Sequence, residues 1–254
     1  MLQITFLGTG TSQGVPMIGC HCPVCLSTDK KDKRLRSSVW IKNDDTSIVV
    51  DTGPDFRYQM LRAGVEHLDG VLYTHGHKDH VAGLDDIRAF NYWSQKDMDL
   101  FLNKDTEEVI RREFPYAFSG VSYPGIPQLN LHHLHGQDFK IGSLNIQTIK
   151  VKHYKLEVYG FRIGDFTYIT DANYISAEEK EKIKDSKILV LNALRFEPHI
   201  SHFTFDEAIA IAEEVGAEQT FLVHLSHQAG LHQEISKKLP PNVHLAYDQL
   251  SLQL

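Results

Sequence analysis

Apolar positions alternate with polar ones, or run unbroken, in short stretches along most of this chain. "QITFLG" (3–8), "SSVWI" (37–41) and "TSIVVD" (46–51) read as buried strands. "PDFRYQMLRAG" (54–64) reads as a helix, with Pro54 near its start and Gly64 at its end. "GVLYT" (70–74) is again a buried strand, and it delivers "HGHKDHVAGLDDIRAF". The second half repeats the alternation. "LNIQTIKV" (144–151), "VYGFRI" (158–163) and "FTYITD" (166–171) read as strands, "SAEEKEKIKDS" (176–186) as a surface helix, and "KILVLNAL" (187–194) as a strand. "TFDEAIAIAEEVGA" (204–217) is the clearest helix, with a Thr204/Glu207 capping box and Gly216 near its end. "TFLVHL" (220–225) is a buried strand, and "VHLAYD" (243–248) is read as the last one. Two strand-rich halves, each with helices, predict two sheets packed face to face with helices outside. No repeat, low-complexity run or linker interrupts the pattern, so residues 1–254 read as a single domain.

Composition narrows the class. A hydrophobic share of 42% and a charged share of 23% are those of an ordinary globular protein. The net charge of −7 excludes a broadly basic nucleic-acid surface. An anionic substrate would need a strong local positive centre against that background. No stretch is long and apolar enough to span a bilayer, so no membrane partner is expected. The N-terminus enters a strand pattern without a charged leader or cleavage site, and the cysteines are clustered, which together point to a reducing cytoplasm. Fifteen histidines against three cysteines favour metal chemistry over disulfides.

Three stretches carry candidate chemistry. "GTGTSQG" (8–14) has glycines one residue too widely spaced for a dinucleotide fingerprint, and reads as a loop approaching another part of the site closely. "THGHKDH" follows a buried strand. His75 and His77, two apart in extended chain, point the same way and can grip one ion. Asp79 and His80, beyond the turn, can face a second ion beside it. "GCHCPVC" (19–25) holds Cys20, Cys22 and Cys25, three thiols of a site that wants four ligands. His21 lies between two of them, where it would struggle to reach the same ion.

At H-x-H-x-D-H after a strand, the sequence resembles the metallo-β-lactamase superfamily, an α/β (α+β) class whose fold is a four-layer αββα sandwich. "VVDTG" (49–53) resembles that family's Asp-x-Gly strand end, and the resemblance covers essentially the whole chain. It implies His153 in "KHYKL" as the third histidine of the first metal. Asp171 in "YITDA" would be the bridging carboxylate, and His224 in "LVHLSH" would complete the second metal. Within the superfamily, the opening "GTG…QGVP…GC.C..C" and the late "H.SHQ" are similar to the cyclic-phosphate phosphodiesterases of the carbon–phosphorus lyase (phosphonate) pathway. That branch implies a structural zinc held by Cys20, Cys22, Cys25 and His227. With His224 and His227 three residues apart, such a zinc would tie the N-terminal loop to the segment presenting a catalytic ligand.

The resemblance also implies a reaction. Two divalent ions, manganese or zinc, would be held by His75, His77, Asp79, His80, His153, Asp171 and His224, and would keep a net positive charge after counting Asp79, Asp171 and a bridging hydroxide. Attack of that hydroxide would hydrolyse a small cyclic phosphodiester, either phosphoribosyl 1,2-cyclic phosphate or a nucleoside 2′,3′-cyclic phosphate. Asp79 would serve the catalytic centre, and His202, ahead of the capped helix, would donate the leaving-group proton. Arg195 is either a phosphate contact or a strand-end arginine. "HHLHG" (132–136) reads as a loop with exposed imidazoles. Tyr92 and Trp93 are read as core packing, within a stretch (91–135) expected to set substrate choice. Two rival readings remain: a tRNA 3′-processing nuclease, disfavoured by the acidic balance, and an accessory protein resembling pyrroloquinoline-quinone biosynthesis protein B. The partner expected is a small anionic phosphodiester rather than nucleic acid, and a homodimer is left open.

Overall fold

The computed structural model describes residues 1–120 and 125–254. Its first half builds β1 (Gln3–Gly8), α1 (Pro23–Leu26), β2 (Ser38–Lys42), β3 (Ser47–Val50), α2 (Phe56–Ala63), β4 (Gly70–Leu72) and α3 (Lys78–Val81), then α4 (Arg88–Ser94), β5 (Met98–Leu102), α5 (Lys104–Glu113) and β6 (Leu129–His133). The second half builds β7 (Phe139–Ile141), β8 (Leu144–His153), β9 (Leu156–Ile163), β10 (Phe166–Tyr168), β11 (Tyr174–Ile175), α6 (Ala177–Ile183) and β12 (Ile188–Asn192). It continues with α7 (Phe205–Glu214), β13 (Gln219–Val223), α8 (His232–Ser236), β14 (Val243–Leu245) and β15 (Ser251–Gln253).

Among the described residues the strands form two sheets. One runs β15-β1-β2-β3-β4-β5-β6; the other runs β11-β8-β9-β10-β12-β13-β14, with β7 beside β8. The apolar runs divide cleanly between two faces. Ile4, Phe6, Val39, Ile41, Ile48 and Val50 face the other sheet and meet Ile146, Phe161, Phe166, Tyr168 and Val190 there. Trp40, Val49 and Val71 point outward beneath Phe56, Met60 and Ile110 of α2 and α5. Leu189, Leu191 and Leu222 likewise point outward beneath Ile183, Phe205, Ala208 and Ile211 of α6 and α7. A strand buried on both faces has no polar side to show, which is why these segments read as continuous apolar runs. The result is helix, sheet, sheet, helix, as expected from the alternation.

Local signals also land where expected. Gly64 ends α2 in the left-handed conformation at φ 65°. Thr204 and Glu207 form a complete capping box on α7. Three expectations need correction. The last strand is β15, which closes the first sheet by pairing antiparallel with β1 (Gln3 opposite Gln253). It is short and not buried, so it carries no apolar signal. His132 and His133 belong to edge strand β6 rather than a loop; their imidazoles are exposed, as read, and pair with Asp99 and Glu107. Tyr92 and Trp93 do not pack in the core. They are 68% and 79% exposed and lie edge-to-face on each other. Ile87 and Asn91 take the buried positions of that helical turn, so residues 92 and 93 point away. Residues 121–124 of the stretch expected to set substrate choice lie outside the described residues.

Candidate metal centre

The strands deliver seven side chains to one end of the sandwich. His75, His77, Asp79 and His80 follow β4, His153 ends β8, Asp171 follows β10, and His224 follows β13. They form two groups, each with ligand atoms within 4.8 Å of one another: His75, His77 and His153; and Asp79, His80, Asp171 and His224. The two groups adjoin, since the His75 and His80 rings lie 4.3 Å apart. All seven residues singled out in the sequence for this purpose are therefore brought together.

The chain is bent sharply to present them. Asp51, Asp171 and His224 all adopt left-handed backbone angles, at φ 66°, 56° and 57°. Such a conformation costs a residue with a side chain about 1–3 kcal/mol and clusters at functional sites. Asp51 was not assigned a role from the sequence. It follows β3, buried, and accepts hydrogen bonds from Thr74 N (2.9 Å), Thr74 Oγ1 (2.8 Å) and His80 Nδ1 (2.6 Å). His80 is thus oriented by a carboxylate, with Nε2 turned into the cluster. The sequence marked it only as the carboxylate of the Asp-x-Gly strand end in "VVDTG", without a role. Gly53 in the same motif has a steric reason: a Cβ there would sit 2.2 Å from the Asp79 carbonyl oxygen. His153 is held in a comparable way, its Nδ1 donating to the Ser201 carbonyl at 2.8 Å.

The donor set fits divalent ions. His80 Nε2 and His224 Nδ1 are buried and make no hydrogen bond, and each lies 3.2 Å from Asp171 Oδ2. Buried polar atoms left this way are rare without an ion or water between them. Burial, then the neighbouring His80, holds His75 well below its ordinary pKa, so its lone pair is free. His224 is lowered by burial as well. Burial works against charge on Asp171, but His224 and His80 outweigh it and hold the carboxyl well below its usual range. His80 moves the other way. Burial opposes its charge, yet Asp79, Asp171 and Asp51 surround it and raise it well above the ordinary value. Three carboxylates converging on one imidazole is a demand for positive charge, which divalent ions meet.

His202 is 9% exposed beside this cluster. Its ring lies 4.7 Å from His153 and 4.8 Å from His224, and Nδ1 is 3.8 Å from Asp171 Oδ1 without a hydrogen bond. Burial, then His224, pushes its pKa down to about 3. Arg195 is occupied: it donates to Gln228 Oε1 (2.6 Å) and to the carbonyls of Glu197 and Pro198. It staples the loop before His202.

The cysteines meet the predicted fourth residue. Cys20 and Cys22 Sγ lie 3.3 and 3.4 Å from His227 Nδ1, and the quartet with Cys25 is mutually within 4.8 Å. His21 is exposed and outside it. Burial alone would raise Cys22, but the Cys25 amide and His227 outweigh it and hold the thiol at about 6. Burial pushes Cys25 up to about 11. The Gly-rich loop approaches the site closely, as expected: Gly10 bridges to Leu225, next to His224.

A groove of about 510 Å³ between α2 and α4, lined by Phe56, Met60, Leu61 and Trp93, contains none of these clustered residues.

Comparison with known proteins agrees with this fold. A model of the β-lactamase superfamily domain matches residues 46–225. The crystal structure of a new diphosphatase from the PhnP family is 38% identical, with a TM-score of 0.94, covering 100% of this chain and 98% of that one. Zn(2+)-bound PqqB from Methylobacterium extorquens has a TM-score of 0.80 at 18% identity, covering 99% of this chain and 100% of that one; at that identity the likeness shows the fold alone. An octanoyltransferase of Porphyromonas gingivalis is 40% identical over 252 residues, 98% of this chain but 51% of that protein. The chain therefore spans about half the length of that relative.

Proposed function

The chain belongs to the β-lactamase superfamily, and from that premise we propose that it is a dinuclear metal-dependent hydrolase of small cyclic phosphodiesters. The observation that carries this reading is the pair of unbonded buried nitrogens, His80 Nε2 and His224 Nδ1, flanking Asp171 Oδ2 next to a second, three-histidine group. His75, His77 and His153 would hold one divalent ion; Asp79, His80 and His224 the other; Asp171 would bridge. When bound, such a pair supplies Lewis acidity and an activated water for in-line attack at phosphorus.

The chain's own residues would do the rest. Asp51 and the Ser201 carbonyl keep His80 and His153 turned inward. His202 would donate the proton to the leaving oxygen. Its low pKa leaves it neutral in the free protein. A phosphodiester anion seated beside it would bring negative charge that works in the other direction, toward the protonated acid.

The 38%-identical diphosphatase favours a second reading, in which the scissile bond is a diphosphate linkage. One experiment separates them: a panel of phosphoribosyl 1,2-cyclic phosphate, 2′,3′-cyclic nucleotides, dinucleoside diphosphates and pre-tRNA, assayed on manganese- or zinc-loaded protein. The proposal expects the highest kcat/KM on a cyclic phosphodiester and no cleavage of pre-tRNA. Preference for the diphosphates would install the second reading, and activity on none would remove both.

A further inference from the structure

Thr11 lies in the Gly-rich loop (8–14), buried, with Oγ1 3.3 Å from His224 Nε2. Backbone bonds bracket the contact. Leu225 N donates to the Thr9 carbonyl (3.0 Å), and Thr11 N donates to the Leu225 carbonyl (3.2 Å). The loop thus runs as a short extra rung beside the segment that carries His224. Further along, the same loop reaches Cys20 and Cys22, which meet His227. Segment 224–227 is therefore touched at both ends by one N-terminal loop: at His224 through a hydroxyl, at His227 through thiols.

A neutral imidazole has one N–H and one lone pair, and the bond made by one nitrogen decides the state of the other. His224 Nδ1 is the nitrogen that faces Asp171 without a hydrogen bond. To hold an ion there, the proton must sit on Nε2, and the Thr11 oxygen is the acceptor within reach. The left-handed backbone at His224 makes that support more valuable, because a strained residue holds its place only when its surroundings over-determine it.

We propose that Thr11 is a positioning residue for His224, and that through it the occupancy of the cysteine quartet sets the affinity of the Asp79–His80–Asp171–His224 group for its ion. This rests on the dinuclear reading given above. An ion in the quartet pins the loop; the pinned loop holds Thr11 against Nε2; and His224 keeps the tautomer that binds.

The test is manganese binding to the full chain by titration, with zinc already in the quartet wherever its four ligands are intact, followed by melting of each variant. Thr11→Val keeps the shape and removes the acceptor. It should weaken the second manganese by about 10- to 100-fold, the usual cost of losing a partner that orients a ligand, while the first ion binds as before. Thr11→Ser should bind close to wild type. Cys22→Ser should weaken the second ion in the Thr11 background and have little further effect in Thr11→Val, since residues acting through one contact are not additive. Wild-type affinity for two ions in Thr11→Val, or an undiminished Cys22→Ser effect in that background, overturns the proposal and leaves the dinuclear reading standing. A wild type that takes up fewer than two ions at the histidine–aspartate cluster overturns both.

Discussion

The histidine–aspartate cluster and the cysteine quartet are built in opposite ways. The cluster draws seven residues from the ends of four strands, most of them buried, and bends the backbone at Asp171 and His224 into the left-handed region. The quartet takes three residues from one short loop and a single distant histidine, is partly exposed, and contains no residue with such a backbone angle. One arrangement spends stability on the placement of charge. The other is a tether, joining positions 20–25 to 227 across some two hundred residues of chain. A site for chemistry must over-determine its groups; a site for stability need only close a loop.

Variants can break or sharpen that contrast. The largest effect is expected at the cluster. His202→Ala should lower kcat by about 10²- to 10⁴-fold on diesters with poor leaving groups, the range of a lost general acid. It should do far less on nitrophenyl esters, whose leaving group needs no proton. Equal losses on both would remove His202 from that role. At the quartet the order of effects should reverse. Cys22→Ser or His227→Ala should lose zinc content and thermal stability while turnover at saturating manganese holds, with Tm falling by about 2–4 °C for each kcal/mol lost in a chain of this size. Zinc stoichiometry by elemental analysis checks it, and an unchanged value in either variant would reject the quartet as a zinc site.

The smallest effect sits within the quartet. In metal-free protein at neutral pH, Cys22, held at about 6, is mostly thiolate, whereas Cys25, pushed to about 11, is almost wholly protonated. The thiolate is the reactive form. Iodoacetamide should therefore label Cys22 ahead of Cys25, at a rate that climbs as pH rises through about 6 and then levels off. Mass spectrometry of the labelled peptides reads this directly. Faster labelling of Cys25 would show that the environment described for the two thiols is wrong.

The same contrast explains what the sequence disclosed. Ligand types at the end of an apolar strand were legible because burial leaves little reason for His75 or His80 to be polar there, whereas His153, Asp171 and His224 came from the resemblance. The two-sheet architecture was legible for a related reason: Val49 and Val50 are both apolar because each face of β3 is covered. The Cys20–Cys25 cluster was visible from spacing, but His227 came from resemblance alone, since no local rule links residues so far apart. Asp51 escaped notice as an orienting group because a single carboxylate after a strand has many ordinary uses. β15 escaped because its pairing with β1 depends on backbone hydrogen bonds, which leave no mark on an exposed three-residue segment. Tyr92 and Trp93 misled for the opposite reason: large rings usually pack inward, and only the phase of α4 turns these two out.

The central claim is that two ions share Asp171. Anomalous scattering from crystals grown with saturating manganese and zinc tests it most directly. The account predicts two peaks flanking Asp171, about 3.5–4 Å apart as in other two-metal sites, and a third among the cysteines. A single peak, or none, between His75 and His224 in fully loaded crystals would contradict it.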